Sequence, residues 1–431
     1  MNLSRQYLVS GFFLYIILLP STAQDPLLDA YYEGNYEEVI RMSGENLARG
    51  DSSFNQYYLR ALSQVQLGRT GQAAATLEKA CREFPEEISL RKLLARQYFD
   101  AGASLKADSL YKTFVAADST DLSSWLKLAE IASDRQDYKT SIERLQQVLV
   151  LDTANLEGLM LMGDILTRQD NSGAIIFYQR ALRHYPDNQQ AAYALANWDL
   201  KLDMPQKAAE ICEHVLEKDT TNIRFRKMMG FALYRGGKPH DAIGHLEMAA
   251  ELGDSTTFTF KYLGIARYMT MDFPGAIPPL ETAVQKDSLD ADIQFFLGAS
   301  LATTSRREEA MKHFEKALEL MKPDPAAVAK IYAEQGNLLR LEMKYEAAYD
   351  RYQMSWEADT TQPIQLYYMA SILDNSLHRS KQALVDYRRF LDQLDRTPPE
   401  SPKNNQIPSI RDIVEDRIVQ LSEELFLRDE H

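Results

Sequence analysis

The sequence predicts an all-α protein built from stacked helical hairpins. Small residues recur at steps of 34, with single steps of 33 and 38, between positions 61 and 370. A second small residue follows most of them after twelve positions. The first set is Ala61, Ala95, Ala129, Gly163, Ala196, Gly230, Gly264, Gly298, Gly336 and Ala370. One hairpin cannot bury its apolar side alone, whereas a stack of hairpins can, so this regularity favours a repeat array.

Each step contains two helices joined by a turn. Apolar residues stand at helical spacing on both sides of the turn, as in Leu128 and Ala132, then Leu145 and Val148. Turn-forming residues lie between the two small positions, as in the stretch GGKP at 236–239. We expect the small residues where the two helices cross, because a bulky side chain there would hold the helices apart.

This pattern resembles the tetratricopeptide repeat, a helix–turn–helix unit of 34 residues. The best matches are residues 54–87, with LGRTGQAAATLEKACREFP, and residues 291–324, with FFLGASL and EEAMKHFEKALEL. Ten units span residues 54–396, and a truncated unit over residues 25–53 precedes them. The resemblance implies a right-handed superhelical solenoid whose first helices line a concave groove.

Two segments depart from the regular unit. The eighth unit, counting the truncated one as the first, has Pro278 and Pro279 where a second helix is expected. Because each proline removes a helical hydrogen bond, we expect that helix to begin late or to kink. Pro323 and Pro325 accompany the step of 38 residues, where we expect a longer loop.

The first 23 residues have the layout of a signal peptide. Arg5 precedes an apolar run over residues 8–19, and a Ser-Thr-Ala stretch ending at Ala23 suits cleavage. This predicts a protein exported by a Gram-negative bacterium, either periplasmic or secreted, with no membrane span after cleavage. An uncleaved anchor or a buried helix is the alternative. Against the anchor, the run would rise only about 18 Å, short of a bilayer core about 30 Å thick.

The composition changes after the last unit. Residues 397–408 contain four prolines and are predicted to form an extended linker. Ser409, with Asp412 three residues on, is expected to begin a final helix over residues 409–428. The apolar stripe of that helix predicts a cap on the open end of the stack, with a partner-binding helix as the alternative.

Charge and motif content exclude several classes of function. The chain of 431 residues carries a formal net charge of −14, which disfavours a nucleic-acid partner. We find no motif typical of a catalytic, metal or cofactor site, and we predict a protein that is not an enzyme. Cys81 and Cys212 belong to units that are not neighbours, so we expect two free, buried thiols.

Six junctions between units carry Asp followed by Ser or Thr. One interpretation is that the hydroxyls cap the next helix. The other is that the junctions resemble an O-glycosylation sequon of some Gram-negative bacteria, in which Asp precedes Ser or Thr and a residue such as Ala, Leu, Thr or Val follows. The candidate acceptors are Ser119, Thr153, Thr220, Ser255, Ser288 and Thr360.

A second stripe on the first helices of the middle units is predicted to face the groove. Its members are basic or aromatic, and they suit an acidic or carboxyl-bearing protein or peptide with an apolar anchor. A solvated face with long apolar stems is the alternative. The predicted partner-binding set is Tyr193, Asn197, Arg224, Lys227, Phe231, Tyr234, Phe258, Lys261, Tyr268 and Phe295.

The sequence therefore predicts a non-catalytic exported scaffold that binds a protein or peptide partner in its concave groove. The alternative is a component of a cell-envelope uptake or surface-assembly system that captures a glycan or a small ligand. A third class, an all-α enzyme, would need carboxylates that converge from opposite sides of the fold, and an open solenoid does not supply them.

Overall fold

The computed structural model describes residues 25–321, 324–396 and 407–429. Within these ranges the chain forms 23 α-helices and no β-strand. It divides into two compact units, one ending at Ala191 and the other beginning at Ala192. The predicted signal peptide and most of the predicted proline-rich linker lie outside the described residues.

The helices follow one another with short connections. The first ten are α1 Pro26–Tyr32, α2 Tyr36–Ala48, α3 Phe54–Gln66, α4 Thr70–Glu83, α5 Ile88–Asp100, α6 Ser104–Ala117, α7 Leu122–Asp134, α8 Tyr138–Leu151, α9 Leu156–Arg168 and α10 Ala174–His184. The next seven are α11 Gln189–Lys201, α12 Pro205–Lys218, α13 Ile223–Arg235, α14 Pro239–Glu251, α15 Thr257–Met269, α16 Phe273–Lys286 and α17 Ala291–Ala302. The last six are α18 Arg307–Leu320, α19 Pro325–Leu341, α20 Tyr345–Ala358, α21 Ile364–Asn375, α22 Ser380–Arg396 and α23 Ile407–Asp429.

Within each unit, consecutive helices pair into hairpins, and neighbouring hairpins pack on one another. In the first unit α3 packs on α4, α5 on α6, α7 on α8 and α9 on α10. In the second unit the same pairing joins α13 with α14, α15 with α16, α17 with α18, α19 with α20 and α21 with α22. The first helices of neighbouring hairpins also touch, as α13 and α15 do. The predicted all-α helical repeat architecture is confirmed.

The recurring small residues lie at the helix crossings. Ala129 is fully buried, and a Cβ atom built at Gly230 would lie 2.5 Å from Cγ of Leu246 on the partner helix. At Gly163 the same atom would lie 2.6 Å from a ring carbon of Tyr178. A side chain at these positions would force the two helices apart, as the sequence predicts.

The turn inside most of the hairpins uses a left-handed residue, which ends the first helix. Glycine supplies this conformation at Gly237, where φ is 73°, while Met271 and Met343 adopt it with φ of 63° and 59°. The following amide closes the turn, since Asp272 N donates to Arg267 O at 2.9 Å. This bond is the helix-terminating contact of a Schellman motif.

The two segments that depart from the repeat fold differently from expectation. The helix α16 is continuous from Phe273, so the prediction that it begins late was wrong. Pro279 cannot donate to Gly275 O, but Arg267 Nη1 on α15 donates to that oxygen instead, at 2.7 Å. The extra residues before Gly336 lengthen α19, which has 17 residues where α13 and α15 have 13, rather than extending a loop.

The last helix packs on the preceding hairpin. It begins at Ile407, two residues before the predicted start at Ser409. Val414 and Leu421 are fully buried in a cluster with Tyr387 and Phe390 of α22. The apolar side chain of Ile413 on the same helix is 59% exposed, so it takes no part in this packing. Among the described residues, no helix combines the length and apolar character needed to cross a membrane.

Candidate functional site

The predicted partner-binding residues lie on the first helices α11, α13, α15 and α17 of the second unit. Asn197, Arg224 and Phe258 are exposed, and most of the others are half-buried. Phe295 is 5% exposed and packs against Phe314, with the ring centroids 5.9 Å apart. Its assignment to a partner-binding surface was therefore wrong, because the side chain at this position of α17 points into the core.

Four rings from α13 and α15 form a continuous aromatic face. Phe231, Tyr234, Phe258 and Tyr262 make up this face. The centroid of Tyr262 lies 4.6 Å from that of Phe231 and 4.7 Å from that of Phe258. The Tyr234 centroid lies 5.3 Å from it. Such spacings are typical of favourable aromatic pairs.

Tyr262 stands at the centre of the aromatic face but was missed from the sequence. The offsets from the small residue of each unit predict Lys261 on the stripe in place of its neighbour Tyr262. Both side chains are half-buried. The signal that could have found Tyr262 is the ring four residues after Phe258, since such pairs are neighbours on a helix.

The aromatic surface continues onto α17 through a second set of rings. Tyr268 lies 5.2 Å from Phe296 and 5.3 Å from Phe273, centroid to centroid. Phe296 is half-buried and was also absent from the predicted set. Lys330 on α19 lies over Phe296, with Nζ 5.8 Å from the ring centroid.

The two lysines of the predicted stripe are already paired with carboxylates of the next hairpin. Lys261 Nζ lies 2.8 Å from both Asp290 and Asp292, and Lys227 Nζ lies 3.2 Å from Asp254. Burial alone would lower the pKa of Lys261, but the hydrogen bonds that it donates to the two aspartates raise that pKa. The expectation of a surface with three available basic groups was therefore wrong.

Arg224 differs from the lysines. Its guanidinium stacks on Tyr193, with Cζ 3.3 Å from the ring centroid. In the part of the chain that the structure describes, no carboxylate lies within ion-pair distance of Arg224, and the side chain is exposed. Stacking keeps the planar donor group of arginine available for a carboxylate. Arg224 is therefore the basic member of the predicted set that remains able to meet an external anion.

Several tyrosine hydroxyls near the aromatic face are unengaged. Tyr234, Tyr262 and Tyr268 are half-buried, and burial raises the pKa of each hydroxyl above its ordinary value. Among the described residues none of the three hydroxyls makes a hydrogen bond. They can donate to a ligand that covers the rings.

The six junction residues are all exposed, and they do not cap the helices that follow. The cap of α7 is Asp121, which accepts from Ser124 N at 3.1 Å, and that of α9 is Asn155, which accepts from Gly158 N at 2.9 Å. The cap predicted for the junction hydroxyls was therefore wrong. Ser119, Thr153, Thr220, Ser255, Ser288 and Thr360 stand one to three residues before the caps or helix starts that were expected to use them.

The two cysteines are free, as predicted, but their burial differs. Cys212 is fully buried, and burial raises the pKa of its thiol to about 12. Cys81 is half-buried, so the prediction of a buried thiol fails at this position. Within the described residues, no group of His, Cys, Asp and Glu side chains could hold a metal ion.

Stacked helical hairpins that present an aromatic face on their first helices define a helical-repeat protein with an interaction surface. Two segments match models of the tetratricopeptide repeat, over residues 263–327 and 57–87. Both fall on hairpins that the structure shows. The chain therefore carries tetratricopeptide repeats over these two segments.

Relatives of known role share parts of this chain. The peroxisomal targeting signal receptor of Saccharomyces cerevisiae is 25% identical over 220 residues, which are 51% of this chain and 32% of the receptor. The rhomboid protease GluP of Bacillus subtilis is 32% identical over 95 residues, which are 21% of this chain and 19% of the protease. The chain thus spans about a third or less of the length of these relatives.

Solved structures also resemble the chain. YrrB, described as a protein with an unusual peptide-binding site, aligns with a TM-score of 0.37 and 21% identity over 42% of this chain and 93% of YrrB. The Cut9–Hcn1 hetero-tetramer of the APC/C aligns with a TM-score of 0.41 and 15% identity over 92% of this chain and 88% of that one. Neither similarity is close enough to assign a binding mode.

Proposed function

We propose that this protein is a non-catalytic scaffold that binds an extended peptide or protein segment across the aromatic face of α13 and α15. The observation that carries the proposal is the contiguous set of four rings that solvent reaches, Phe231, Tyr234, Phe258 and Tyr262, with Arg224 about two turns before Phe231 on α13. Aromatic and arginine side chains contribute most of the binding energy in many protein interfaces. Tetratricopeptide repeats commonly act as interaction scaffolds, and one relative is named as a receptor for a targeting signal.

The chemistry of the face favours a partner with a single carboxylate rather than a strongly acidic one. Lys227 and Lys261 are neutralised by their own aspartates, which leaves Arg224 to meet the carboxylate. Phe231 and Phe258 would receive the apolar anchor next to it. A polyacidic partner would instead meet a chain with a net charge of −14.

The supporting experiment compares peptides in a library with free or amidated carboxyl termini, measured by fluorescence anisotropy. We expect the selected peptides to carry an apolar residue close to a free carboxylate. Arg224→Glu and Phe258→Ala should each weaken binding roughly tenfold. Met248→Ala on α14, which changes a 38% exposed side chain on a second helix, is the matched control and should bind normally.

The site assignment fails if both Arg224→Glu and Phe258→Ala bind the selected peptides like the unchanged protein. Circular dichroism must show the same helical content in all three variants. Charge reversal at Lys227 or Lys261 is not a suitable test, because it would break ion pairs that join neighbouring hairpins.

A second candidate function is the capture of a glycan. It is favoured by the unengaged hydroxyls of Tyr234, Tyr262 and Tyr268, which stand beside ring faces that suit a sugar. A glycan array distinguishes the two ligands directly. Sugar binding that is lost in Tyr262→Phe but kept in Arg224→Glu would support the glycan over the peptide.

We further infer that the protein acts outside the cytoplasm, from the signal-peptide layout of residues 1–23. The amino-terminal sequence of the protein recovered from a cell-envelope fraction tests this. We expect it to begin at Gln24. A chain that retains Met1 and stays with the cytoplasmic fraction would contradict export.

A further inference from the structure

Five of the six junctions fold into the same turn, led by an aspartate. The Asp carboxylate accepts a hydrogen bond from the backbone N–H two residues ahead, as when Asp118 accepts from Thr120 N at 2.9 Å and Asp359 from Thr361 N at 2.9 Å. Asp152, Asp219 and Asp287 accept equivalent bonds at 3.0, 3.2 and 3.1 Å. This is the arrangement of an Asx turn.

A second bond holds each of these turns from outside. The carbonyl oxygen of the residue after Asp accepts from a side chain of a following helix. Trp125 Nε1 donates to Ser119 O at 3.0 Å, and Gln294 Nε2 donates to Ser288 O at 2.9 Å. The equivalent donors to Thr153, Thr220 and Thr360 are Arg180, Arg226 and Gln393, at 2.9, 2.9 and 3.4 Å.

The side-chain hydroxyl of the residue after Asp has no part in either bond. Ser119, Thr153, Thr220, Ser288 and Thr360 are exposed, and none of their hydroxyls makes a hydrogen bond within the described residues. The next hydroxyl along the chain behaves differently. Thr120 Oγ1 donates to Asp118 at 2.6 Å, and Thr221 Oγ1 donates to Asp219 at 2.9 Å.

We propose that these five hydroxyls, of Ser119, Thr153, Thr220, Ser288 and Thr360, are attachment sites for neutral O-linked glycans. Each is presented on a turn fixed by two hydrogen bonds, so a transferase would meet the same local shape five times on the folded protein. The hydroxyls contribute nothing to the turn that holds them. Their recurrence beside Asp therefore calls for a role outside the fold.

A neutral group fits these positions better than a phosphoryl group. Every acceptor directly follows an aspartate whose side chain already accepts a hydrogen bond from a nearby backbone N–H. A phosphate there would add like charge beside the carboxylate and compete for those donors. The pKa of Asp118 is lowered by hydrogen bonds from Thr120, so this carboxylate stays charged at neutral pH.

The transfer needs a glycosyl donor with a diphosphate leaving group. The serine or threonine oxygen attacks the anomeric carbon, and the bond from that carbon to the donor phosphate oxygen breaks. The hydroxyl proton passes to a base of the transferase, and the diphosphate departs with the electron pair. No oxidant or reductant is required.

Ser255 serves as an internal control for the proposal. Its preceding residue, Asp254, accepts from Lys227 and from the hydroxyls of Thr256 and Thr259, and among the described residues no backbone N–H donates to that carboxylate. The Asx turn that we propose the transferase recognises is therefore absent here, although Asp is still followed by Ser in the sequence. We expect Ser255 to remain unmodified.

The test is intact mass and electron-transfer peptide mapping of the full-length protein purified from the cells that make it. We expect a mass above that of the polypeptide by multiples of one glycan, mapped to the five acceptors. Thr220→Ala should remove one glycan, whereas Thr221→Ala, one residue away, should keep it.

Three results would overturn the proposal. The first is a mass equal to that of the polypeptide. The second is a modification that a phosphatase removes. The third is a glycan on Ser255 at the same occupancy as on the five acceptors, which would show that the sequence alone, without the turn, directs the transfer.

Discussion

At the scale of single residues, the left-handed turn positions lower the free energy of unfolding wherever the residue has a Cβ atom. Equivalent turns of the same chain use glycine, which avoids this strain. Met343 adopts φ of 59° with a side chain that is 72% exposed, so its strain is not offset by packing. The left-handed conformation costs about 1–2 kcal/mol for a residue with Cβ. Glycine avoids this strain, but it loses more backbone entropy on folding, and that loss offsets part of the gain. We expect Met343→Gly to raise the free energy of unfolding by about 0.5 kcal/mol.

Urea denaturation measures this change. Gly237→Ala, at a position with φ of 73° in an equivalent turn, is the reverse experiment and should lower the free energy of unfolding. A destabilised Met343→Gly variant would show that the methionine makes a contribution that its exposure does not reveal.

The thiol of Cys212 predicts a dependence of stability on pH. Burial raises its pKa from 9.0 to about 12, so the folded state keeps the proton at a pH where the unfolded thiol has lost it. This contribution is fully present below pH 9 and is lost as pH rises towards 12. We expect the free energy of unfolding to fall less steeply over this range in Cys212→Ala than in the unchanged protein.

Thiol labelling gives an independent check. Cys81 is half-buried and should react with maleimide in the native protein before Cys212 does. Equal labelling rates would mean that the hairpin around Cys212 opens as readily as the surface around Cys81.

The sequence predicts which helices carry the site, but it does not place every side chain of the site correctly. The positions of Phe231, Tyr234 and Phe258 follow from periodicity alone. Phe295 and Tyr262 do not, because one step along a helix rotates a side chain by about 100°, enough to exchange surface for core. The pairing of Lys261 with Asp290 was also missed, since 29 residues separate them and only the stacking of hairpins brings them together.

At the scale of elements, α16 keeps its two prolines because α15 supplies a missing donor. Arg267 donates to Gly275 O, the acceptor that Pro279 leaves without a backbone partner. Removing that donor leaves a carbonyl short of a hydrogen bond, at a cost of about 1–3 kcal/mol. We expect Arg267→Met to destabilise the protein and to speed hydrogen exchange over residues 273–286.

The matched background is Pro279→Ala, which restores an N–H at that position of the helix. Arg267→Met should cost less in this background than in the unchanged protein, as measured by urea denaturation of the four variants. Equal costs would assign the effect to the lost ion pair between Arg267 and Glu247 instead.

The sequence predicts the presence of the helical hairpins well. It does not predict what the prolines of α16 or the extra residues before Gly336 do to the helices that contain them. The spacing of small and apolar residues predicts every hairpin, because it reflects a local requirement for close crossing. Proline rules describe a single helix and do not include a donor from its neighbour, so they fail for α16. The extra residues before Gly336 look like a loop insertion in the sequence, yet four residues add about one turn to α19 without changing the face that it buries.

At the scale of the whole molecule, a half-buried ion pair joins the last helix to the preceding hairpin. Arg417 on α23 donates from Nε and Nη2 to Asp374 at 2.7 and 2.8 Å, and the Asp374 side chain is 3% exposed. Removing one partner of a buried pair costs about 3–5 kcal/mol, which we reduce to about 2 kcal/mol because Arg417 is 30% exposed. We expect Arg417→Ala to weaken the docking of α23 on the preceding hairpin, because Asp374 lies on α21.

Limited proteolysis is the measurement, with cleavage expected within residues 407–429 earlier than in the unchanged protein. Arg411→Ala, on the same helix, removes a pair with Asp395, whose side chain is 64% exposed, and should change little. Similar protection of both variants would assign the docking of α23 to Val414 and Leu421 alone.

The donors that hold the junction turns also bear on how the repeats diverged. Trp125, Arg226 and Gln294 occupy the same offset, six residues after the carbonyl that each one binds. If these units descend from copies of one ancestor, the donor has changed its chemical identity while keeping an N–H directed at the same oxygen. Substitutions at this offset have then changed the size, the aromaticity and the charge of the side chain. The hydrogen bond from its N–H to the junction carbonyl is the feature that all three units retain.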